Sequence, residues 1–213
     1  MKFLVPIALL TILLCATTRP VPAADENADL ILEEDFERKE LGKGWTIQNG
    51  SWTIENGVLA ALELKEDNHA ASARRVLVTH DATYQVRFQL EEGTRIFHFG
   101  FDPKRGSLEK KGHLFSIVVT PGGWKLLKHL DKNNPKADPN EVLASSDHAF
   151  SPGVWHTLRV TTSGTEVTAK IDDLPELAGS HPSFDVPKPT LVFRTAGTGG
   201  ARVDDIKVWV PKN

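Results

Sequence analysis

The 213-residue sequence contains only one cysteine and one methionine, and both lie near its start, as Cys15 and Met1. The rest of the chain therefore has no thiolate for a zinc or iron–sulfur site, no cysteine nucleophile and no disulfide scaffold. The sequence also lacks a Gly-x-Ser-x-Gly elbow, a His-Glu-x-x-His pair and a phosphate-binding glycine loop that enters a helix. Candidate chemistry is thereby restricted to histidine, carboxylates, arginine, lysine and hydroxyl groups.

Only one long apolar run occurs in the sequence, and it lies near the amino terminus. Lys2 precedes an apolar segment at 3–16, and a stretch of small residues follows and includes Ala23. This layout is typical of a secretory signal peptide, whereas a membrane-spanning helix needs about 20 apolar residues. We expect residues 1–23 to be a signal peptide and residues 24–213 to form the mature domain. The protein is then exported to the periplasm, the cell surface or the extracellular space, without a membrane span in its mature form.

The charge balance argues against nucleic acid as a partner. The sequence has 25 Lys and Arg residues against 28 Asp and Glu residues, a net charge of −3 with neutral histidines. Cleavage after Ala23 removes two cations, Lys2 and Arg19, and no acid, which changes the net charge from −3 to −5. A surface of this sign has no general attraction for polyanions, and the basic residues are scattered along the chain.

Short segments of alternating apolar and polar residues dominate the sequence from residue 30 onward. In the segment 84–90, Tyr-Gln-Val-Arg-Phe-Gln-Leu, every second residue is apolar, as in a strand with one buried face. Asn49-Gly50 and Asn56-Gly57 stand between such segments and predict hairpin turns. About a dozen strands at intervals of about 8–12 residues predict an all-β fold, a single antiparallel β-sandwich of the jelly-roll type. The clearest predicted strands lie at 52–55, 58–65, 84–90, 95–101, 113–120, 124–131, 155–161, 166–171, 189–195 and 203–210.

Several segments together follow the pattern of a known group of β-sandwich domains. Glu34–Glu37 (Glu-Asp-Phe-Glu), Gly44-Trp45 and Gly50–Leu59 (Gly-Ser-Trp-Thr-Ile-Glu-Asn-Gly-Val-Leu) form the first part of this pattern. Pro152–Val160 (Pro-Gly-Val-Trp-His-Thr-Leu-Arg-Val) forms a later part. The chain resembles secreted bacterial concanavalin A-like lectin/glucanase domains, which are laminin-G-like and include the family named for 3-keto-disaccharide hydrolase activity. The resemblance implies a concanavalin A-like sandwich and a protein associated with carbohydrate.

The same resemblance leaves three functions open. Hydrolase-type members carry an Asn-Ser-Gly-apolar-aromatic-aromatic-Arg strand, where this chain reads Thr-Arg-Ile-Phe-His-Phe-Gly-Phe at 94–101. Binding of a poly- or oligosaccharide on the concave sheet, without catalysis, is therefore our first hypothesis. The second is a glycoside hydrolase or lyase of the 3-keto-disaccharide hydrolase type, and the third is a structural or adhesion module with a protein partner. The sequence predicts no oligomeric state.

His113 and His98 are the candidate catalytic residues. Both lie in strands of the middle third of the chain, which forms the concave sheet in the resembling domains. Phe97, Phe99 and Phe101 alternate with His98, so His98 faces a groove if the phenylalanines face the core. The alternative is a structural role, in which His113 bonds to a turn and His98 packs among aromatic rings.

Five residues are candidates for carbohydrate binding. Proteins hold sugars with aromatic faces and with planar polar groups that bond to hydroxyls. Arg87, Gln89 and Arg74 supply such polar groups, Trp124 supplies an indole at a loop edge, and Lys128 follows as an acid–base partner. The alternatives are charges exposed on an outer sheet and, for Trp124, a place in the core.

Asp35 and Asp204 are candidates for a calcium site. If the first and last strands pair, these carboxylates come close together, and Ca²⁺ takes six to eight oxygen ligands. The alternative is a pair of ordinary strand-end aspartates. Asp35 also stands between Glu33 and Glu37 in the Glu-x-Asp-x-Glu spacing of jelly-roll glucanases, for which the alternative is an exposed edge strand. Apart from Ca²⁺, no cofactor is expected.

Overall fold

A computed structural model describes residues 27–212 as two antiparallel β-sheets that pack face to face, which confirms the predicted all-β sandwich. Two short 3₁₀ helices interrupt the strands, at Lys65–Asp67 and Pro182–Phe184. The strands along the chain are β1 (Ala28–Glu34), β2 (Trp45–Asn49), β3 (Ser51–Glu55), β4 (Val58–Leu62), β5 (Ala71–Thr79), β6 (Ala82–Leu90), β7 (Thr94–Asp102), β8 (Phe115–Thr120), β9 (Gly123–Lys128), β10 (Glu141–Asp147), β11 (Trp155–Ser163), β12 (Glu166–Ile171), β13 (Leu177–Ser180), β14 (Lys188–Gly197) and β15 (Ala201–Pro211).

The strands divide between two sheets that we call sheet A and sheet B. Sheet A has the order β13-β12-β11-β6-β15-β4-β3, and β1 also pairs with β15. Sheet B has the order β10-β9-β8-β7-β14-β5-β2. Every strand pair is antiparallel, so each strand can turn alternate side chains toward the other sheet and toward solvent.

The core lies between the two sheets and is rich in aromatic rings. Phe97, Phe99 and Phe101 of β7 are at most 1% exposed, as expected from their alternation with polar or small residues. From sheet A, Tyr84 lies with its ring centroid 4.7 Å from that of Phe101, and Phe88 stacks on Phe97 at 5.2 Å. Each such buried side chain contributes about 1.5–3 kcal/mol through the hydrophobic effect. The opposite face of β7, which carries His98, is therefore an outer face of the sandwich.

The two Asn-Gly pairs have different roles. Asn56 and Gly57 have φ angles of 53° and 74° and close the hairpin of β3 and β4, as predicted. The hairpin predicted at Asn49 and Gly50 is wrong, because this turn leads from β2 in sheet B to β3 in sheet A. Gly50 has a φ of 79°, and a Cβ atom there would lie 2.3 Å from the Cβ of Ala71, so glycine is needed for this close crossing.

Some strands have no clear signature in the sequence. Strand β5 lies between β14 and the edge strand β2 of sheet B, and its side chains Ala71 and Ala73 are fully buried but too small to mark an apolar alternation. At one edge of the sheet, β10 carries mostly small and polar residues. After β9, regular structure resumes only at β10, so a long loop connects these two strands.

Residues 1–23, which we predict to be a signal peptide, lie outside the residues that the structure describes. Between residues 27 and 212, no helix is long and apolar enough to cross a membrane. Export therefore stays a prediction from the sequence.

Candidate functional site

A cavity of about 350 Å³ opens on the outer face of sheet B, and we call it the polar groove. Its floor consists of residues of β5 and β14, one wall comes from β2 and the segment before β5, and the other comes from the segments flanking β8 and β9. The floor residues are Ser72, Arg74, Val192 and Arg194, and the walls are Gln48, Asn49, His69, His113, His129, Leu130, Lys132 and Asn140.

Asp102 holds two of the predicted site residues at the groove. It is the last residue of β7, and its Oδ1 lies 2.5 Å from His113 Nδ1. Its Oδ2 accepts a bond from Arg74 Nε at 2.7 Å and another from the hydroxyl of Thr190 at 3.2 Å. Because a carboxylate accepts, His113 donates through Nδ1, and a neutral His113 then has an unprotonated Nε2. The site thus contains an oriented imidazole that can act as a base.

The charge of Asp102 is stabilised by these partners. Burial alone would raise the pKa of this carboxyl, but the hydrogen bond from His113 and the bond and charge of Arg74 outweigh it. The pKa falls from 3.8 to about 2. Asp102 is therefore ionised at any pH near neutrality, and its negative charge is shared between a histidine and an arginine.

His129 connects the groove to the second catalytic candidate, His98. The His129 ring centroid lies 5.3 Å from that of His113 and 6.3 Å from that of His98, and His129 Nε2 bonds to Ser116 Oγ at 2.8 Å. Both ring nitrogens of His98 are buried and have no hydrogen-bond partner within residues 27–212. Burial, together with the charge of Arg194, lowers the pKa of His98 to about 3. His98 thus lies on the predicted face as a neutral ring with its nitrogens enclosed, whereas His113 lines the groove.

His129 is also neutral at physiological pH. Its pKa is lowered to about 3, first by burial and then by the charges of His113 and other neighbouring cations. An imidazole in this state has one donor and one acceptor nitrogen, so it can bond to a ligand hydroxyl without adding charge.

Of the residues that line the groove, only His113 and Arg74 are candidates from the sequence, and Arg194 is one of those that the sequence did not single out. On β14, every second residue from Leu191 to Thr195 is fully buried and faces the core. Arg194 lies between Phe193 and Thr195 and therefore faces outward. In the sheet it stands opposite His98 on β7 and Ser72 on β5. Burial and the neighbouring charge of Arg74 lower the pKa of its guanidinium.

Within the part of the chain that the structure describes, the lining of the groove is mostly polar and contains neither a carboxylate nor an aromatic ring other than histidine. Glycoside hydrolysis by the common mechanism needs a pair of carboxyl groups across the scissile bond. The carboxyl group of Asp102 bonds to His113 and Arg74 and does not belong to such a pair. The groove therefore offers binding groups and one oriented imidazole, and it lacks the usual hydrolase pair.

Arg87 and Gln89 do not lie at the polar groove, so their predicted place beside Arg74 is wrong. Both belong to β6 in sheet A, whose outward side chains face the opposite side of the sandwich. Arg87 bonds to Asp205 at 2.8 Å, and its guanidinium carbon lies 4.8 Å from the ring centroid of Trp155. Gln89 donates to the carbonyl of Gly153 at 2.7 Å. Alternation separates outward from inward residues but does not tell which sheet carries them.

Trp124 and Lys128 are also unsuited to the predicted contacts with sugar. Both are 2% exposed, because they share the inward face of β9 with Leu126. Lys128 Nζ donates to the carbonyl of Pro139 at 3.0 Å and pairs with Asp138. The alternative of a core position for Trp124 agrees with its burial.

The candidate calcium residues are brought near each other by the pairing of β1 and β15. Asp35 Oδ1 accepts the backbone N–H of Glu37 at 3.1 Å, and Asp204 lies 3.4 Å from Arg87 Nη1. Burial, followed by the charge of Asp205, raises the pKa of Asp204 despite that arginine. No three His, Cys, Asp or Glu residues of the described part of the chain are grouped so as to hold a metal ion. Calcium binding by Asp35 and Asp204 stays a prediction.

Comparison with known proteins identifies the fold. No protein-family model matches the chain, and no curated protein matches it. Among solved structures, a carbohydrate-binding module of family 66 from Bacillus subtilis superposes with a TM-score of 0.62 at 13% identity, over 78% of this chain and 96% of that chain. SCLam, a non-specific endo-β-1,3(4)-glucanase of family GH16, superposes with a TM-score of 0.68 at 13% identity, over 89% of this chain and 94% of that chain.

A third structure, the catalytic domain of an endo-1,3-β-glucanase (laminarinase) from Thermotoga petrophila, gives a TM-score of 0.63 at 14% identity. The alignment covers 89% of this chain and 100% of that chain. Identities this low show a shared fold, the antiparallel jelly-roll sandwich, and leave activity open. Membership of the 3-keto-disaccharide hydrolase family stays a prediction.

Proposed function

We propose that the protein is an exported β-sandwich that binds a poly- or oligosaccharide in the polar groove. The observation that carries this proposal is the groove itself, a cavity of about 350 Å³ lined almost entirely by hydrogen-bonding side chains. Its volume lies in the range of about 300–1,000 Å³ that is typical of ligand sites. The same fold occurs in a carbohydrate-binding module and in glucanases, which supports this class of ligand.

The chemistry of the lining suits the hydroxyl groups of sugar rings. Gln48, Asn49 and Asn140 supply amide donors and acceptors, and His129 supplies a neutral imidazole. Asn49 is itself oriented, since its Nδ2 lies 3.3 Å from Ser72 Oγ. Because the groove lacks an exposed tryptophan, tyrosine or phenylalanine, hydrogen bonds rather than ring stacking supply the specificity.

A matched pair of glutamine variants tests this location. We expect Gln48→Ala to lower affinity for the bound saccharide about two- to tenfold, as for the loss of one neutral hydrogen bond. Gln89→Ala on the opposite sheet is the control and should bind like the wild type. Affinity gel electrophoresis over a panel of soluble polysaccharides measures both. Retention that depends on Gln89 and not on Gln48 would place the site on sheet A, and a lack of retention on every saccharide would refute the proposed function.

A glycoside hydrolase or lyase is the second candidate. The observation in its favour is the 2.5 Å contact between Asp102 and His113, which orients an imidazole at the groove beside Arg74. An enzyme of either type releases new reducing ends from a polysaccharide that the groove holds. We expect His113→Ala to abolish that release while retention on the gel persists. If the wild type binds a saccharide and releases no reducing ends from it, the catalytic candidate fails and the binding proposal stands. The adhesion module stays a prediction.

A further inference from the structure

We propose that the saccharide in the polar groove carries an anionic group, a carboxylate or a sulfate ester, and that Arg194 is its principal partner. This inference rests on the proposed function, because it specifies the ligand class of the same site. Three features of the groove support it: its positive charge, the lack of a hydrogen-bond acceptor for Arg194 among the described residues, and the neutrality of the residues around that arginine.

The charge of the groove is positive in a protein that is negative overall. Arg74, Arg194 and Lys132 line it, and among residues 27–212 no Asp or Glu belongs to the lining. The carboxylate of Asp102 bonds to two lining residues, since its oxygens accept bonds from His113 and Arg74. Asp102 can therefore balance one of these cations, and at least one arginine charge stays uncompensated. With the whole sequence at a net charge of −3, this local excess is a feature of the groove.

Arg194 is the cation that remains without a partner. Its guanidinium makes no hydrogen bond and no ion pair with any residue between 27 and 212, although the side chain is only partly exposed. Burial and the positive charge of Arg74, which repels it, lower the pKa of its guanidinium. A guanidinium has five donors in a planar fork that fits a carboxylate or sulfate. A half-buried arginine without an acceptor is thus poised for an external anion.

The residues next to Arg194 in the sheet carry no charge that would compete for the anion. His98 and Ser72 stand opposite it on the neighbouring strands. His98 and His129 are neutral rings, since their pKa values of about 3 lie far below physiological pH. A negative ligand group would therefore meet two arginines and neutral polar side chains, and the only acid of the described chain known to bond to these lining residues, Asp102, already accepts bonds from Arg74 and His113. Direct charge-assisted bonds are stronger than neutral ones, so this contact would dominate selection among saccharides.

Paired probes that differ only in charge test the inference. Polygalacturonate is compared with its methyl ester, and dextran sulfate with dextran, by affinity gel electrophoresis. We expect retention on at least one charged member and roughly tenfold or more weaker retention on its neutral partner. The carboxylate and sulfate arms show which group is bound. Because the protein is acidic overall, retention on a polyanion is not expected from net charge.

Arginine variants show whether the groove is responsible. Arg194→Gln removes the unpaired charge. Lys132→Gln removes a charge from the wall of the groove, and because Lys132 is exposed, we expect this change to leave the stability of the fold unaffected. Arg159→Gln, on strand β11 of the other sheet, is the matched control. We expect Arg194→Gln to weaken binding of the charged probe about ten- to a hundredfold, Lys132→Gln to weaken it less, and Arg159→Gln to leave it unchanged. Thermal unfolding of each variant checks that it is folded.

The outcomes separate this inference from the proposed function. Equal or stronger retention on the neutral probes, lowered by Gln48→Ala, would overturn the anionic ligand and leave the binding function standing. Retention on charged probes that both Arg194→Gln and Lys132→Gln leave intact would also overturn it. A lack of retention on any charged or neutral saccharide would overturn both.

Discussion

Replacement of Asp102 by asparagine tests how the groove is held together. The carboxylate bonds to His113 at 2.5 Å, to Arg74 at 2.7 Å and to Thr190 at 3.2 Å, so three strands or segments converge on it. Its side chain is 20% exposed, and solvent therefore screens these contacts only in part. An asparagine side chain in place of Asp102 would keep the shape and remove the charge that the two partners share.

The expected loss follows from the pKa of Asp102, which is lowered from 3.8 to about 2. At about 1.4 kcal/mol per pKa unit, the carboxylate contributes about 2 kcal/mol to the free energy of unfolding at neutral pH. A carboxyl whose pKa is lowered on folding contributes fully above its unfolded pKa and loses this contribution as the pH falls toward its folded pKa. The stability gap between wild type and Asp102→Asn should therefore be larger at pH 7 than at pH 3, where it should fall to about half.

Urea unfolding followed by tryptophan fluorescence measures this gap, since the chain has five tryptophans. Asp173→Asn, at an exposed carboxylate in the turn after β12, is the control and should change stability by less than about 0.5 kcal/mol. A midpoint of Asp102→Asn equal to that of the wild type at pH 7 would refute the reasoning. So would a gap that is the same at pH 3 and pH 7, because the loss would then come from packing rather than charge.

Three further predictions concern the fold. Phe99→Ala should lower the free energy of unfolding by about 3–5 kcal/mol in the same urea assay, because Phe99 is fully buried against Tyr84 and Phe193. Gly57→Ala should lower the free energy of unfolding by about 1–3 kcal/mol in thermal unfolding, because φ is 74° there and a Cβ would lie 2.5 Å from Glu37 Oε1. Unchanged stability would contradict the hairpin geometry. Reductant should leave the unfolding midpoint unchanged, because residues 27–212 contain no cysteine; a shift would reveal a disulfide that the sequence excludes.

The fold can be predicted from the sequence where alternation involves large side chains. The phenylalanines of β7 and the apolar positions of β6 alternate with polar or small residues, and both strands lie where expected. Strand β5 is harder to detect, because its buried side chains Ala71 and Ala73 are small, and Ala71 lies against Gly50 where a larger pair would not fit. The Asn49-Gly50 turn has the sequence of a hairpin, but local chemistry specifies φ and not the sheet that the next strand joins.

The site can be predicted only in part, for the same reason. His113 and Arg74 are candidates from the sequence, and both line the groove. Arg87 alternates with the buried residues of β6 but lies on the opposite side of the sandwich from Arg74, because the assignment of strands to sheets depends on long-range pairing. Arg194 carries a usable signal, since the buried neighbours at every second position place it outward. What singles it out for the proposed anion contact is the lack of an acceptor among the described residues, which is a property of the assembled sheet.

The carboxylate of Asp102 has opposite effects on the stability of the fold and on the affinity of the groove for an anion. Its carboxylate stabilises the fold by neutralising Arg74, and the same neutralisation weakens the field that an anionic saccharide would meet. Asp102→Asn should therefore lower the free energy of unfolding and raise affinity for the charged probe severalfold, provided that the ligand is anionic. Affinity gels at pH 7 with polygalacturonate and dextran sulfate measure the second effect. The affinity for a neutral saccharide should not change, because such a ligand gains nothing from the freed charge of Arg74. If the wild type and Asp102→Asn bind a charged probe with equal affinity, the electrostatic account of the groove is wrong, although the groove could still be the binding site.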